Sequence, residues 1–247
     1  MTKTHNVGID MFKENIRRWT TMPAGDTRMD VEYLNSLSES ALLRNYFYFA
    51  EFWKKERSWE HVKYTKMFAG RDVVEVGSGF GFDGLKFARK ASSHTYVDIN
   101  PKQIEFLKRL VDVISRNLAP VENINFEVLT EPLSQDFGRK FSALYSHGVL
   151  HHVPLSFARE EFKNFDRHLE VGSPVVLLMY PKERWEDCGR PDFEVFGNHT
   201  DGGCPWAEYY DEEKIMELVG PNYELNEVIP WGDNNREFIN FELIKTK

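Results

Sequence analysis

The stretch Asp72–Lys90, DVVEVGSGFGFDGLKFARK, decides how this sequence is read. Its first part, DVVEVG, is a short β-branched run of the kind found in strands buried on both faces. Gly77, Gly79 and Gly81 follow at every second position, and then comes GLKFARKA, amphipathic at helical spacing. Glycines between a strand and a helix let the backbone approach a ligand closely, and the helix start offers unpaired N–H groups. Two patterns overlap here. Gly79-x-Gly81-x-x-Gly84 fits a dinucleotide fingerprint, whereas Glu75-x-Gly77-x-Gly79-x-Gly81 sets an acid two residues before the first glycine.

Outward from this stretch, strand and helix alternate. HTYVDI reads as a second strand, ending at Asn100-Pro101, where Asn caps a helix and Pro suits its first turn. A helix through KQIEFLKRLVDVISRNL follows, then strands INFEVLT and FSALYSHGVL, a helix SFAREEFKNFDRHL, and a fifth strand PVVLLMYP. Such alternation predicts a doubly wound, mostly parallel sheet, because each crossover needs a helix. Residues 182–210 break the rhythm with many turn-formers. A loop of that length is functional or carries small elements. A helix, DEEKIMELVG, with acids in its first turn and Gly220 at its end, precedes two strands around a turn at Gly232 to Asn235. Residues 1–70 are rich in aromatics, among them Trp19, Tyr46 and Trp53, and a helix is expected over about 38–56. The organisation expected is a helical cap over 1–70 and an α/β domain over 71–247.

With 247 residues, 41% of them apolar, the chain is long enough for one α/β domain with an appendage. Its net charge of −8 repels a phosphate backbone, so nucleic acid is not an expected partner. No apolar run approaches the ~20 residues that span a bilayer, and the N-terminus lacks the apolar centre of a signal peptide, which points to the cytoplasm and to no membrane partner. The two cysteines, Cys188 and Cys204, do not make a disulfide framework. His199 and Asp201 lie between them at a spacing that fits no zinc pattern, and no metal is expected.

Glu75 separates the two glycine patterns. A carboxylate near a helix start opposes a pyrophosphate, but it suits S-adenosylmethionine, which carries a sulfonium and an ammonium and no phosphate. Asp98, ending the second strand, can accept ribose hydroxyls in either cofactor class. Glu75-Val-Gly77-Ser-Gly79-Phe-Gly81, Asp98 and LYSHGVLHHVP (Leu144 to Pro154) together resemble the class I S-adenosylmethionine-dependent methyltransferases, over roughly residues 65–181 and the closing hairpin. The resemblance implies a Rossmann-like sheet of seven strands, the last inserted antiparallel. It places Glu75 near the methionine ammonium, Gly77, Ser78 and Gly79 under the methionine part, Gly81 at the turn, Asp98 on the ribose and Ile99 against the adenine. The common Gly-Asp pair after the third strand is missing, and Thr130 or Glu131 stands in its place. Ser146 and His147 would line the methionine end.

Methyl transfer from a sulfonium is an in-line displacement, for which an enzyme mostly aligns the nucleophile and excludes water. A hydroxyl or ammonium nucleophile also needs a base, for which His147 and then His151 are the candidates. The chain has neither an Asn/Asp-Pro-Pro-Tyr motif nor a Pro-Cys nucleophile after the fourth strand, which argues against base-directed chemistry. The expected activity is therefore methyl transfer to an O or N atom of a small-molecule acceptor, by a monomer or homodimer, with S-adenosylhomocysteine as product. Alternatives are a peptide or protein acceptor, and a non-catalytic cofactor-binding subunit. Tyr46, Trp206, Glu208, Tyr209 and Tyr210 are candidate acceptor contacts. Residues 182–210, ending in DGGCPWAEYY, are the expected lid.

Overall fold

The structure is a computed structural model that describes residues 10, 12–19, 30–200 and 203–247, with the side chains of Trp53 and Glu56 left aside. Asp201 and the Trp53 side chain, both singled out in the sequence, lie outside the described residues.

By proximity the chain divides into two compact units, residues 20–129 and residues 1–19 with 130–247. Helix α1 covers 12–19 in the second unit. The first unit holds α2 (Val31–Ser36), α3 (Glu39–Met67), β1 (Asp72–Val76), α4 (Gly84–Phe87), β2 (Ser93–Asp98), α5 (Pro101–Asn117) and β3 (Ile124–Val128). The second adds β4 (Ala143–His147), α6 (Leu155–Asp166), β5 (Pro174–Pro181), α7 (Lys182–Asp187), α8 (Phe193–Asn198), β6 (Tyr209–Tyr210), α9 (Glu212–Val219), β7 (Tyr223–Trp231) and β8 (Phe238–Lys245).

Local signals explain most of these boundaries. The Asn100 side chain accepts from Lys102 N at the start of α5, with Pro101 as its first residue. Asp211 caps α9 through Lys214 N, and Gly220 ends that helix at φ 79°. Ser38 caps α3 where expected, and the first helical stretch ends at a kink at Arg57, close to the expected 56, with a second stretch continuing to Met67. The helix expected over GLKFARKA is only four residues, because the chain is drawn back to the sheet: Gly70 N donates to Lys90 O and Ser92 N to Arg71 O.

The sheet runs in the order β3-β2-β1-β4-β5-β8-β7. β1, β2 and β3 pair in parallel, as do β4 and β5, while β8 is antiparallel to both β5 and β7. This is the mixed, mostly parallel sheet expected, with one strand more than the seven anticipated. Tyr209–Tyr210 extends the end of β5 in parallel, pairing with Tyr180 and Pro181. Residues 182–210 carry two short helices, and Phe196, Cys204 and Ala207 pack with Tyr180 into a small core of their own. Among the described residues no helix is long and apolar enough to cross a membrane.

Candidate functional site

The glycine turn lies in the first unit, at the C-terminal end of β1. It begins where Gly77 N donates to Val97 O of β2 at 2.8 Å. Ser78 is buried and spends its hydroxyl on Glu75 O and Val97 O, so it splices the turn to the two strands. Gly77, Gly79 and Gly81 all have φ between 48° and 72°, the left-handed region that side chains resist. At Gly81 a β-carbon would also stand 2.8 Å from Leu107 and 3.1 Å from the Tyr96 hydroxyl, which itself donates to Gly81 O. At Gly79 the situation is the reverse: a β-carbon would meet nothing within 4 Å. The backbone of Gly79 therefore faces open space while its neighbour is pressed against the core.

Asp98, the last residue of β2, borders that space. Its carboxylate accepts from Asn100 N at 2.9 Å and from the backbone N–H groups of Gly79 and Ile99. Burial nevertheless outweighs these bonds and pushes its pKa up to about 6. Gln103, on the first turn of α5, donates to Gly79 O. Gly79 is thus held at both its N–H and its C=O, and Ile99 sits half-buried beside it. Tyr46 reaches the same turn from α3, stacking on Phe82 at 5.0 Å between ring centroids.

Glu75 does not present an open acid. Its Oε2 lies 2.8 Å from His94 Nε2, with both side chains buried. Burial raises the Glu75 carboxyl well above the usual range and lowers the imidazole to about 3, so the pair is a neutral hydrogen bond and not an ion pair. The two groups fill the space beneath Gly84. A β-carbon there would come within 2.5 Å of His94 Nε2 and Tyr96 Cε1, and closer still to Glu75 Oε2. Gly84→Ala is therefore expected to cost about 1–3 kcal/mol from overpacking, read as a drop in melting temperature. An unchanged melting curve would show that Glu75 and His94 have room to move.

The remaining sequence candidates belong to the second unit. Thr130 and Glu131 are exposed and engaged locally, their backbone N–H groups on Gln135 Oε1. Ser146 is buried in β4, and His147 is half-buried at its end, its ring 6.1 Å from that of Tyr145. His151 is fully buried and stacks on Tyr180 at 4.1 Å. His152 Nδ1 donates to Trp206 O at 3.1 Å, which leaves its Nε2 as the acceptor for His151 Nε2 at 3.2 Å. His151, a candidate base, is thus packed between the rings of His152 and Tyr180. Asn15 donates to His152 O, and Trp19 packs against the His152 ring.

Glu208 also turns inward. Its Oε1 accepts from Leu155 N at the start of α6, and its Oε2 pairs with Lys214 Nζ at 3.0 Å. The Lys214 ammonium lies 4.2 Å from the Tyr209 ring and 4.6 Å from that of Phe193, with Trp206 next to Phe193 and Trp185 next to Tyr209. Tyr210 is fully buried. The aromatic cluster read as an acceptor surface is thus packed around the protein's own lysine.

Arg57, His61, Asp83, His94, Tyr96 and Gln103 all support the turn and were not singled out from sequence. Asp83 and Gln103 carry a signal, standing just past the glycines and on the first turn of the next helix. The others become relevant only through pairings across 15 to 26 residues.

No protein-family profile and no curated protein sequence matches the chain. Solved structures do match. The CcbJ methyltransferase from Streptomyces caelestis superposes with a TM-score of 0.59 at 12% identity, over 76% of this chain and 88% of that one. An S-adenosylmethionine-dependent methyltransferase from Clostridium acetobutylicum gives 0.58 at 13%, over 82% and 99%. The N-methyltransferase NodS from Bradyrhizobium japonicum, in complex with S-adenosyl-L-homocysteine, gives 0.55 at 15%, over 77% and 87%. The chain has the class I methyltransferase fold. At such identities the likeness is one of fold, and the methyltransferase fold places the glycine turn and Asp98 at the C-terminal ends of adjacent parallel strands, where open α/β sheets bind ligands.

Proposed function

We propose that the protein is an S-adenosylmethionine-dependent methyltransferase acting on an O or N atom of a small-molecule acceptor. The observation that carries this reading is the turn itself: Gly79 faces open space and is flanked by the Asp98 carboxylate. Those features fit a nucleoside cofactor that needs close backbone approach and an acceptor for its ribose hydroxyls. The cofactor supplies a methyl group activated by a sulfonium.

The residues of this chain bind and orient. Asp98 would accept from the ribose, and Ile99 would offer an apolar edge to the base. The Gly77–Gly81 backbone would lie beneath the methionine part, with Ser78 and Glu75 as its supports from within the core. Where the acceptor carries a proton, His147 is the residue to take it at its imidazole, since the His151 ring is packed in the core. The small-molecule acceptor class is supported by the acidic net charge, which disfavours nucleic acid.

Calorimetric titration with S-adenosylhomocysteine, with NADH as control, tests the reading. Micromolar binding of the first and none of the second is expected. Binding of NADH alone would return the turn to the dinucleotide pattern and overturn the assignment.

A further inference from the structure

Asp83 directly follows the glycine turn and stands in the capping position before α4, yet its side chain makes no capping bond to that helix. An aspartate in such a place ordinarily accepts from the first backbone N–H groups of its own helix. Here the carboxylate is turned to α3 instead. Oδ2 accepts from Arg57 Nη1 at 3.0 Å, and Oδ1 accepts from His61 Nε2 at 2.7 Å. Arg57 stands at a break in α3 and His61 four residues beyond it, and both side chains meet the same carboxylate. Glu60 Oε2 lies 3.8 Å from the same guanidinium. Arg57, Glu60 and Asp83 are all buried.

Helix α3 is not regular at this point. Arg57 has φ −118° and ψ 16° inside a 29-residue helix. Helix breaks have identifiable causes, most often proline, glycine or an inserted group. Neither proline nor glycine occurs in α3. The break falls at the residue whose guanidinium meets Asp83. It also separates two ties between α3 and the turn: Tyr46 on Phe82 before it, Arg57 and His61 on Asp83 after it. The turn is thereby held along its length, at Gly79 by Asp98 and Gln103, at Gly81 by Tyr96, and at Phe82 and Asp83 by α3.

We infer that Arg57 and His61 are positioning residues for the cofactor turn, acting on it through Asp83. The inference rests on the reading of the turn as a cofactor site. In consequence α3 helps to set cofactor affinity without touching the cofactor, because the end of the turn is anchored to it by two bonds to one carboxylate, a charge-assisted one from Arg57 Nη1 and one from His61 Nε2.

The test is calorimetric titration of the full chain with S-adenosylhomocysteine, alongside melting curves. Arg57→Gln and Asp83→Asn are each expected to weaken binding by about 10-fold, which is about 1.4 kcal/mol. The double variant should lose little more than Asp83→Asn alone, since that change already removes the charge with which Arg57 pairs. His61→Ala leaves the Arg57–Asp83 bond in place and should lose about 3-fold, and His61→Gln, whose amide can still donate to Asp83, should recover most of it. The His61 pair keeps the test alive if the Arg57 or Asp83 variants do not fold. Affinities within 2-fold of the parent in folded variants, with only the melting temperature lowered, would reduce the cluster to a purely structural role and overturn the inference. Additive losses in the double variant would do the same. A parent chain that takes no S-adenosylhomocysteine overturns the cofactor reading itself, and the inference with it, which is a distinct result.

Discussion

Asp98→Asn is expected to weaken S-adenosylhomocysteine binding by about 100-fold while raising the melting temperature of the free protein at pH 8. The loss follows from two ribose hydroxyls giving up a charged acceptor, at about 1.5–3 kcal/mol for each bond to a charged group. The gain follows from burial. Asp98 is 8% exposed, and its pKa rises from 3.8 to about 6. The sign is fixed by linkage: the folded state holds the proton more tightly, so stability falls as pH rises from about 4 through 6 and then levels off. A shift of that size corresponds to about 3 kcal/mol. Asparagine escapes this cost but loses one of the three backbone bonds, leaving a net gain of about 1–2 kcal/mol, or about 2–8 °C for a chain of this length. The gain should shrink as pH falls through about 6 and vanish below 3.8, where the carboxyl is protonated in the unfolded chain as well. Retained affinity would sink the ribose assignment. A lowered melting temperature at pH 8 would show that the carboxylate is better solvated than its burial implies. Asp98 is thus a residue that the fold holds at a cost.

The second large effect belongs to the other compact unit. Glu161 is a buried carboxyl on α6, among Phe157, Ala158, Phe162 and Phe165, and burial pushes its pKa up to about 8. The unfolded chain ionises it near 4.5, so its contribution to stability declines by about 1.4 kcal/mol per pH unit between roughly 4.5 and 8 and is constant above. The total approaches about 5 kcal/mol as an upper bound. Glu161→Gln is therefore expected to raise stability most at pH 8–9 and to change it little at pH 4.5. Denaturant unfolding of both proteins across this range measures the difference directly. The comparison with the parent is needed because neutral His94 has the opposite slope, losing stability as pH falls from 6.5 towards 3. A parallel pair of stability profiles would mean that Glu161 finds a solvating partner.

Much of this architecture was legible in the residues. The glycine spacing, the capped start of α5 at Asn100-Pro101 and the turn at Gly232 each depend on backbone preferences acting over a few positions. These signals survive without knowledge of what packs on them. Asp98 was legible for the same reason, since a strand end before a helix start is a local feature. Glu161 was within reach too, because it shares helical spacing with Phe157, Phe162 and Phe165, but an acid on an apolar face does not announce its partners.

Glu75 shows where such reading stops. Its place before Gly77 suggested an acid open to a cationic ligand, whereas the fold gives it to His94. That pairing exists because β2 lies beside β1 in a register that sets Val73 opposite His94 and Glu75 opposite Tyr96. Glu75 and His94 are therefore diagonal neighbours on one face. Register is a property of two strands, and neither strand carries it alone. The packing of the aromatic cluster at 185–210 escapes such reading for a related reason. Trp206, Tyr209 and Glu208 look available until Lys214, on the following helix, is packed among them.

The sequence by itself determined where most strands, turns and helices begin, and it set a glycine turn and a carboxylate at the ends of two neighbouring strands. Tertiary structure alone decided which acids remain open and which are neutralised. Burial disfavours a charge unless a partner is present, and the partners of Glu75, Asp83 and Glu208 come from elements that only the folded chain brings together.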